Sequence, residues 1–140
     1  MIQLVAARLS DVDGWAEVAA TQSPTLVVID QAVDLRRTLA DAAYLARGVL
    51  EDVPTTPAWN ETRLAAAAVA SLLDAAGHTV SPVATALCRQ DDLHATAQLS
   101  AVMTRRFLKA AAAAAADLQG LLEHATPGAG PGCQHLWAVP

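Results

Sequence analysis

Apolar positions recur every three or four residues through most of this chain, the period of one face of an α-helix. The pattern is plainest from Leu99 to Leu122, where Leu99, Met103, Phe107, Ala110, Ala114, Leu118 and Leu121 fall on one stripe. Seven consecutive alanines, Ala110 to Ala116, lie inside that stretch. Alanine loses no side-chain entropy in a helix, so the run needs little tertiary help. Its smallness lets a neighbouring helix approach closely, and the run reads as a close-contact seam.

An unbroken helix from Pro82 to His124 would reach roughly 60 Å, about twice the span of a small domain. Left whole, it would call for a second chain to cover it. The pattern favours a break at Arg89 to Asp92, where Gln90 and Asp91 can cap a new helix and the paired aspartates suit its positive end.

Earlier segments carry the same period. From Ile2 to Ala20 the stripe is Val5, Leu9, Val12, Trp15 or Ala16, and Ala19. Gly14 weakens its middle by about 1 kcal/mol relative to alanine, and Ser10 with Asp13 offers an alternative cap, so the segment is helical by Trp15 at the latest. Ser23-Pro24, Thr56-Pro57 and Ser81-Pro82 each join a capping hydroxyl to a proline that needs no N–H, which predicts three helix starts. The second helix is expected from Pro24 to about Asp52, with Val28, Ala32, Leu35, Leu39, Ala42, Ala46, Val49 and Val53 inward and Pro54 ending it. Its other side carries Asp30, Asp34, Arg36, Arg37, Asp41, Arg47 and Glu51, a mixed-sign solvated face with an i,i+3 pair at Asp34 and Arg37. The third is expected from Pro57 to Ala76, closed by Gly77 as a left-handed cap, with Leu64, Ala67, Ala68, Leu72 and Ala75 as its stripe. Its alanines make it the natural neighbour of the last helix.

These elements predict an all-α fold: an antiparallel up-and-down bundle of four to five helices over residues 1–125. Residues 126–140 form a tail, with Thr126 to Gly132 as Gly/Pro linker followed by Cys133 to Pro140. Leu136 and Trp137 in that tail either fold back on the bundle or dock on another chain.

Composition narrows the picture. One domain of 140 residues can bury a core without disulfides or metal. Apolar residues make up 54% and aromatics 4%, so the core is Ala, Leu and Val between closely spaced helices. The net charge of −5 disfavours broad electrostatic binding of nucleic acid. Cys88 and Cys133 suggest no disulfide framework, and Met1 to Leu9 reads as neither a leader nor a span, so the expected setting is the cytoplasm.

No residue set has the spacing of a recognised catalytic or nucleotide-binding motif. A helical di-iron site needs Glu-x-x-His on two helices, whereas the chain offers only Asp91-x-x-His94. Cys133-x-His135 supplies two metal ligands where structural zinc needs four. Cys88 reads as a buried structural thiol, and the Gly-rich tail lacks the lysine of a phosphate loop. Arg105, Arg106 and Lys109 form a small basic patch. No cofactor or metal is expected. The reading is a non-enzymatic interaction or assembly protein that self-associates or binds another protein through a helix face. Arg105, Arg106, Lys109, Leu136 and Trp137 are its candidate contacts. The alternatives are a nucleic-acid-associated regulator using the basic patch, and a small-molecule-binding bundle.

Overall fold

The computed structural model of the chain describes residues 1–21, 23–86 and 92–125. Among them lie four α-helices: α1 (Ile2–Ala20), α2 (Thr25–Asp52), α3 (Asn60–Ala84) and α4 (Leu93–Ala125), with a 3₁₀ turn at Pro57–Trp59 before α3. Each helix packs on its neighbours in sequence, and α1 against α4 closes the ring. The direction of packing follows from side-chain contacts between α4 and the α1 region. His94 Nε2 donates to the Ser23 carbonyl (3.0 Å), Gln98 Nε2 to the Ala19 carbonyl (3.4 Å), and Arg105 pairs with Asp13 (3.0 Å). As one number rises the other falls, so the two helices are antiparallel and the bundle runs up, down, up, down.

The contrast between apolar and charged sides decides α2. All of its expected inward residues from Val28 to Val49 are buried, and Val53 just beyond its end is buried too. On α1, Val5, Val12, Trp15 and Ala19 are buried. The Trp15 indole N–H donates to the Val28 carbonyl (3.1 Å), anchoring the end of α1 to the start of α2. Arg63 Nη1 donates to the Val53 carbonyl (3.0 Å), placing a cation at the negative end of α2.

The helix starts differ from expectation. Pro24 is the N-cap residue of α2, but Ser23 makes no side-chain cap and instead shares a hydroxyl contact with Thr21 (2.6 Å). Pro57 opens the 3₁₀ turn, and α3 proper begins at Asn60. Ser81-Pro82 starts nothing: α3 continues through Gly77 and Pro82 to Ala84. Gly77 is not a left-handed cap, since no described glycine has a positive φ. Burial of Val80, Val83 and Ala84 carries the helix past the proline. Pro82 withholds an N–H from the carbonyl of His78, an exposed residue that water can reach. The single helix from Pro82 to His124 therefore does not form. The chain leaves α3 at Ala84 and enters α4 at Leu93, while Gln90 and Asp91 lie outside the described residues. At 33 residues α4 spans roughly 50 Å, and the dimer that a longer unbroken helix would have demanded is not required on that ground.

The core face of α3 is displaced by one residue from the expected stripe, and that of α4 likewise except at Leu118, which is buried as expected. In α3 the buried positions are Thr62, Ala66, Val69, Ala70, Leu73, Ala76, Val80, Val83 and Ala84, whereas Leu64 is 71% exposed. In α4 they are Leu93, Ala97, Ser100, Ala101, Thr104, Leu108, Ala111, Ala115, Leu118 and Leu122. Small residues dominate this inner stripe, as close helix packing requires. At one end Val49, Ala66, Leu118 and Leu122 form a separate cluster with Met1 packed against it.

Between α3 and α4 sits a polar contact, Thr79 Oγ1 to Thr104 Oγ1 at 2.6 Å. Thr104 Oγ1 also lies 2.7 Å from the Ser100 carbonyl, and Thr79 Oγ1 lies 2.7 Å from the Ala76 carbonyl. Two hydroxyl protons serve these three contacts, so one threonine donates to the other and the receiver donates to its own helix.

Candidate interaction surface

Successive residues of a helix are about 100° apart, so α4 presents distinct sides. The side toward α1 carries His94, Gln98 and Arg105, all engaged with α1 or the turn after it. The side toward α3 carries Leu99, Met103 and Phe107, each four residues from the next. Leu99 is 62% exposed and Met103 44%, while Phe107 is half-buried. Val102 is also exposed on the outward arc between these sides.

Leu99, Met103 and Phe107 form one bank of a groove whose other bank is α3. The groove has a volume of about 750 Å³, and Ala75, Thr79 and Pro82 line it from α3, with Ser71, Asp74 and His78 at its rim. It is open to solvent and predominantly apolar. The first three residues of the packing stripe expected on α4 therefore line this outer groove, while Leu118 of the same stripe is buried. On α3 the expected stripe is likewise turned outward, with Ala67, Ala68, Leu72 and Ala75 only half-buried.

At the rim, His78 Nδ1 donates to the Asp74 carbonyl (2.8 Å) and stands 4.0 Å from the Asp74 carboxylate, a contact between two exposed side chains.

The basic patch is divided by the geometry. Arg105 points toward α1 and forms an ion pair with Asp13, leaving Arg106 and Lys109 on the outward arc. Among the described residues neither of the latter two has an ion-pair partner. Arg106 follows Met103 by three residues and so flanks the groove; Lys109 stands farther round the helix. Leu136 and Trp137 lie outside the described residues, as do Cys88, Asp91, Cys133 and His135.

Comparison with protein-family models, curated proteins and solved structures yields no match. The surface must be read from its own chemistry.

A second groove, between α1 and α2, has a volume of about 470 Å³ and mixes Ser10, Asp11, Gln31, Asp34 and Thr38 with the edge of Trp15. Its carboxylates already have partners: Arg8 stands 3.0 Å from Asp11, and Arg37 donates to Asp34 at 3.1 Å. Among the described residues no group of three or more His, Cys, Asp and Glu side chains gathers to hold a metal ion. The stretch Pro57–Ala84 is long and apolar enough to cross a membrane by length and composition. In the bundle its buried face packs between α2 and α4.

Proposed function

We propose that this is a non-enzymatic assembly protein that associates, with itself or with another protein, through the outer face of α3 and α4. The observation that carries this reading is the stripe Leu99, Met103 and Phe107 beside an apolar groove. Exposed apolar residues standing singly need no explanation, and Leu26 and Tyr44 on α2 are separated by Asp30, Arg37 and Asp41. A continuous stripe is different. Full burial of a Leu, Met or Phe side chain stabilises by about 1.5–3 kcal/mol, so covering the exposed part of each favours association by about 1 kcal/mol.

Two features weigh against the nucleic-acid reading. Arg105 is neutralised by Asp13, and the chain carries a net charge of −5. That leaves two cations on the outward arc, too few for broad phosphate binding.

The test is solution mass by light scattering over a concentration series, for the full chain, a chain ending at Pro127, and a Leu99→Asp/Met103→Asp double variant. Association that survives truncation and disappears in the double variant is the expected result. Association lost only on truncation would move the contact to Leu136 and Trp137. Association unaffected by the double variant would overturn the reading.

A further inference from the structure

We infer that the occupant of the α3/α4 face is a second copy of this chain, paired about a two-fold axis parallel to the helices, with Arg106 of each copy meeting Asp74 of the other. This rests on the reading of the face given above and adds the partner and its orientation.

The size of the face suits such a pairing. The 25 residues of α3 span roughly 37 Å, and two adjacent helices present a width of roughly 20 Å. That is about 700–800 Å² per copy, close to the roughly 800 Å² that each partner contributes to a standard interface.

Charge selects the orientation. Arg106 stands on the α4 bank, and Asp74 stands at the rim on the α3 bank. Asp74 has only the 4.0 Å contact with His78 as an ion pair among the described residues, and both side chains are exposed. A two-fold axis perpendicular to the helices would lay α4 on its own copy, Arg106 and Lys109 on the same basic arc. An axis parallel to the helices instead lays α4 of one copy over α3 of the other, Arg106 over the rim that holds Asp74.

Height then matches without adjustment, because rotation about that axis leaves positions along it unchanged. The Thr79 to Thr104 contact sets the register between α3 and α4. Counting five residues back from Thr79 places Asp74 level with position 109. Arg106 is three residues from that level, about 4.5 Å along the axis and within reach of its side chain. Both stripes, Leu99 to Phe107, then lie at the same height across the axis. All neighbouring helices in the resulting α3/α4 quartet are antiparallel. The contact is isologous, so the ion pair occurs twice.

Arg106→Asp and Asp74→Arg test this directly, since each places like charges together at both copies of the contact. Sedimentation of the full chain should show a dimer of twice 14.5 kDa, and each single variant should lose it at concentrations where the parent is dimeric. An equimolar mixture of the two variants should regain the dimer, because both contacts in the mixed pair join Arg to Asp. Circular dichroism checks that the exposed substitutions leave helicity intact. Leu99→Asp separates the two levels of the argument. If it abolishes the dimer but the mixture is not restored, the pairing proposed here is wrong and the face remains. If Leu99→Asp leaves the dimer intact, the face itself is wrong. A parent chain that is monomeric throughout the series overturns the second copy as occupant.

Discussion

Leu108→Ala and Leu99→Ala, compared in dilute solution, separate the two faces of α4. Leu108 is fully buried beside the small residues of the inner stripe, whereas Leu99 is 62% exposed. Truncating a buried leucine removes its transfer free energy and leaves a cavity, costing about 2.7–5 kcal/mol. For a bundle of this size each 1 kcal/mol lowers Tm by about 3–5 °C, so Leu108→Ala should melt about 8–25 °C below the parent. Leu99→Ala loses little buried area and gains slightly in helix propensity, leaving the change within about 0.5 kcal/mol. The assay is thermal or urea unfolding below the concentration of self-association, so that only the folded chain is weighed. Equal losses at the two positions would refute the rotation of α4 described above. A larger loss at Leu99 would restore the stripe of large side chains to the core.

Gly77→Ala should stabilise by about 0.5–1 kcal/mol in urea unfolding, because the residue is helical and an added Cβ would meet Leu39 Cβ at an ordinary 3.8 Å; a loss of similar size would mean a left-handed residue. Arg105→Ala should cost no more than about 1 kcal/mol, since its ion pair with Asp13 is about half exposed, and a double-mutant cycle with Asp13→Ala should show coupling that shrinks in high salt. Burial holds the Met1 amine below its ordinary value of 8.0. The folded state thus disfavours the charged form, and this contribution improves stability as pH rises from the folded pKa toward 8.0 and is level on either side. Acetylating that amine should remove the slope between those limits, as measured by unfolding at a series of pH values.

How much of this was legible in the chain depended on contrast. The inward face of α2 could be read residue by residue because charged side chains occupy its opposite side. In α3 and α4 apolar and alanine residues lie nearly all round, and the eye follows the largest of them. Leu99, Met103 and Phe107 do form a true stripe, but the face turned inward mixes Ser100, Thr104 and alanines with Leu93, Leu108, Leu118 and Leu122. The surface was therefore visible in sequence as a pattern while its direction was not. Pro82 misled for another reason: its burial-independent cost of one hydrogen bond is outweighed when Val80, Val83 and Ala84 on the same turn are packed. The division of the basic patch could not be read either, because Arg105 and Asp13 are brought together only by the antiparallel return of α4.

The threonine pair between α3 and α4 bears on a weakness of alanine-rich seams. Where alanine faces alanine, sliding one helix by a turn changes few contacts, so many alignments of nearly equal energy compete. A hydroxyl pair has no such tolerance. Displaced by one turn, Thr104 would be left against methyl groups, with its companion threonine about 5.4 Å away. Thr104 would still have the Ser100 carbonyl to donate to, but the lost cross-helix bond would cost about 0.5–1.5 kcal/mol. Thr79 and Thr104 thus act as a notch between the alanine-rich stretches of the two rails, adding to the larger side chains a contact that fits in one alignment.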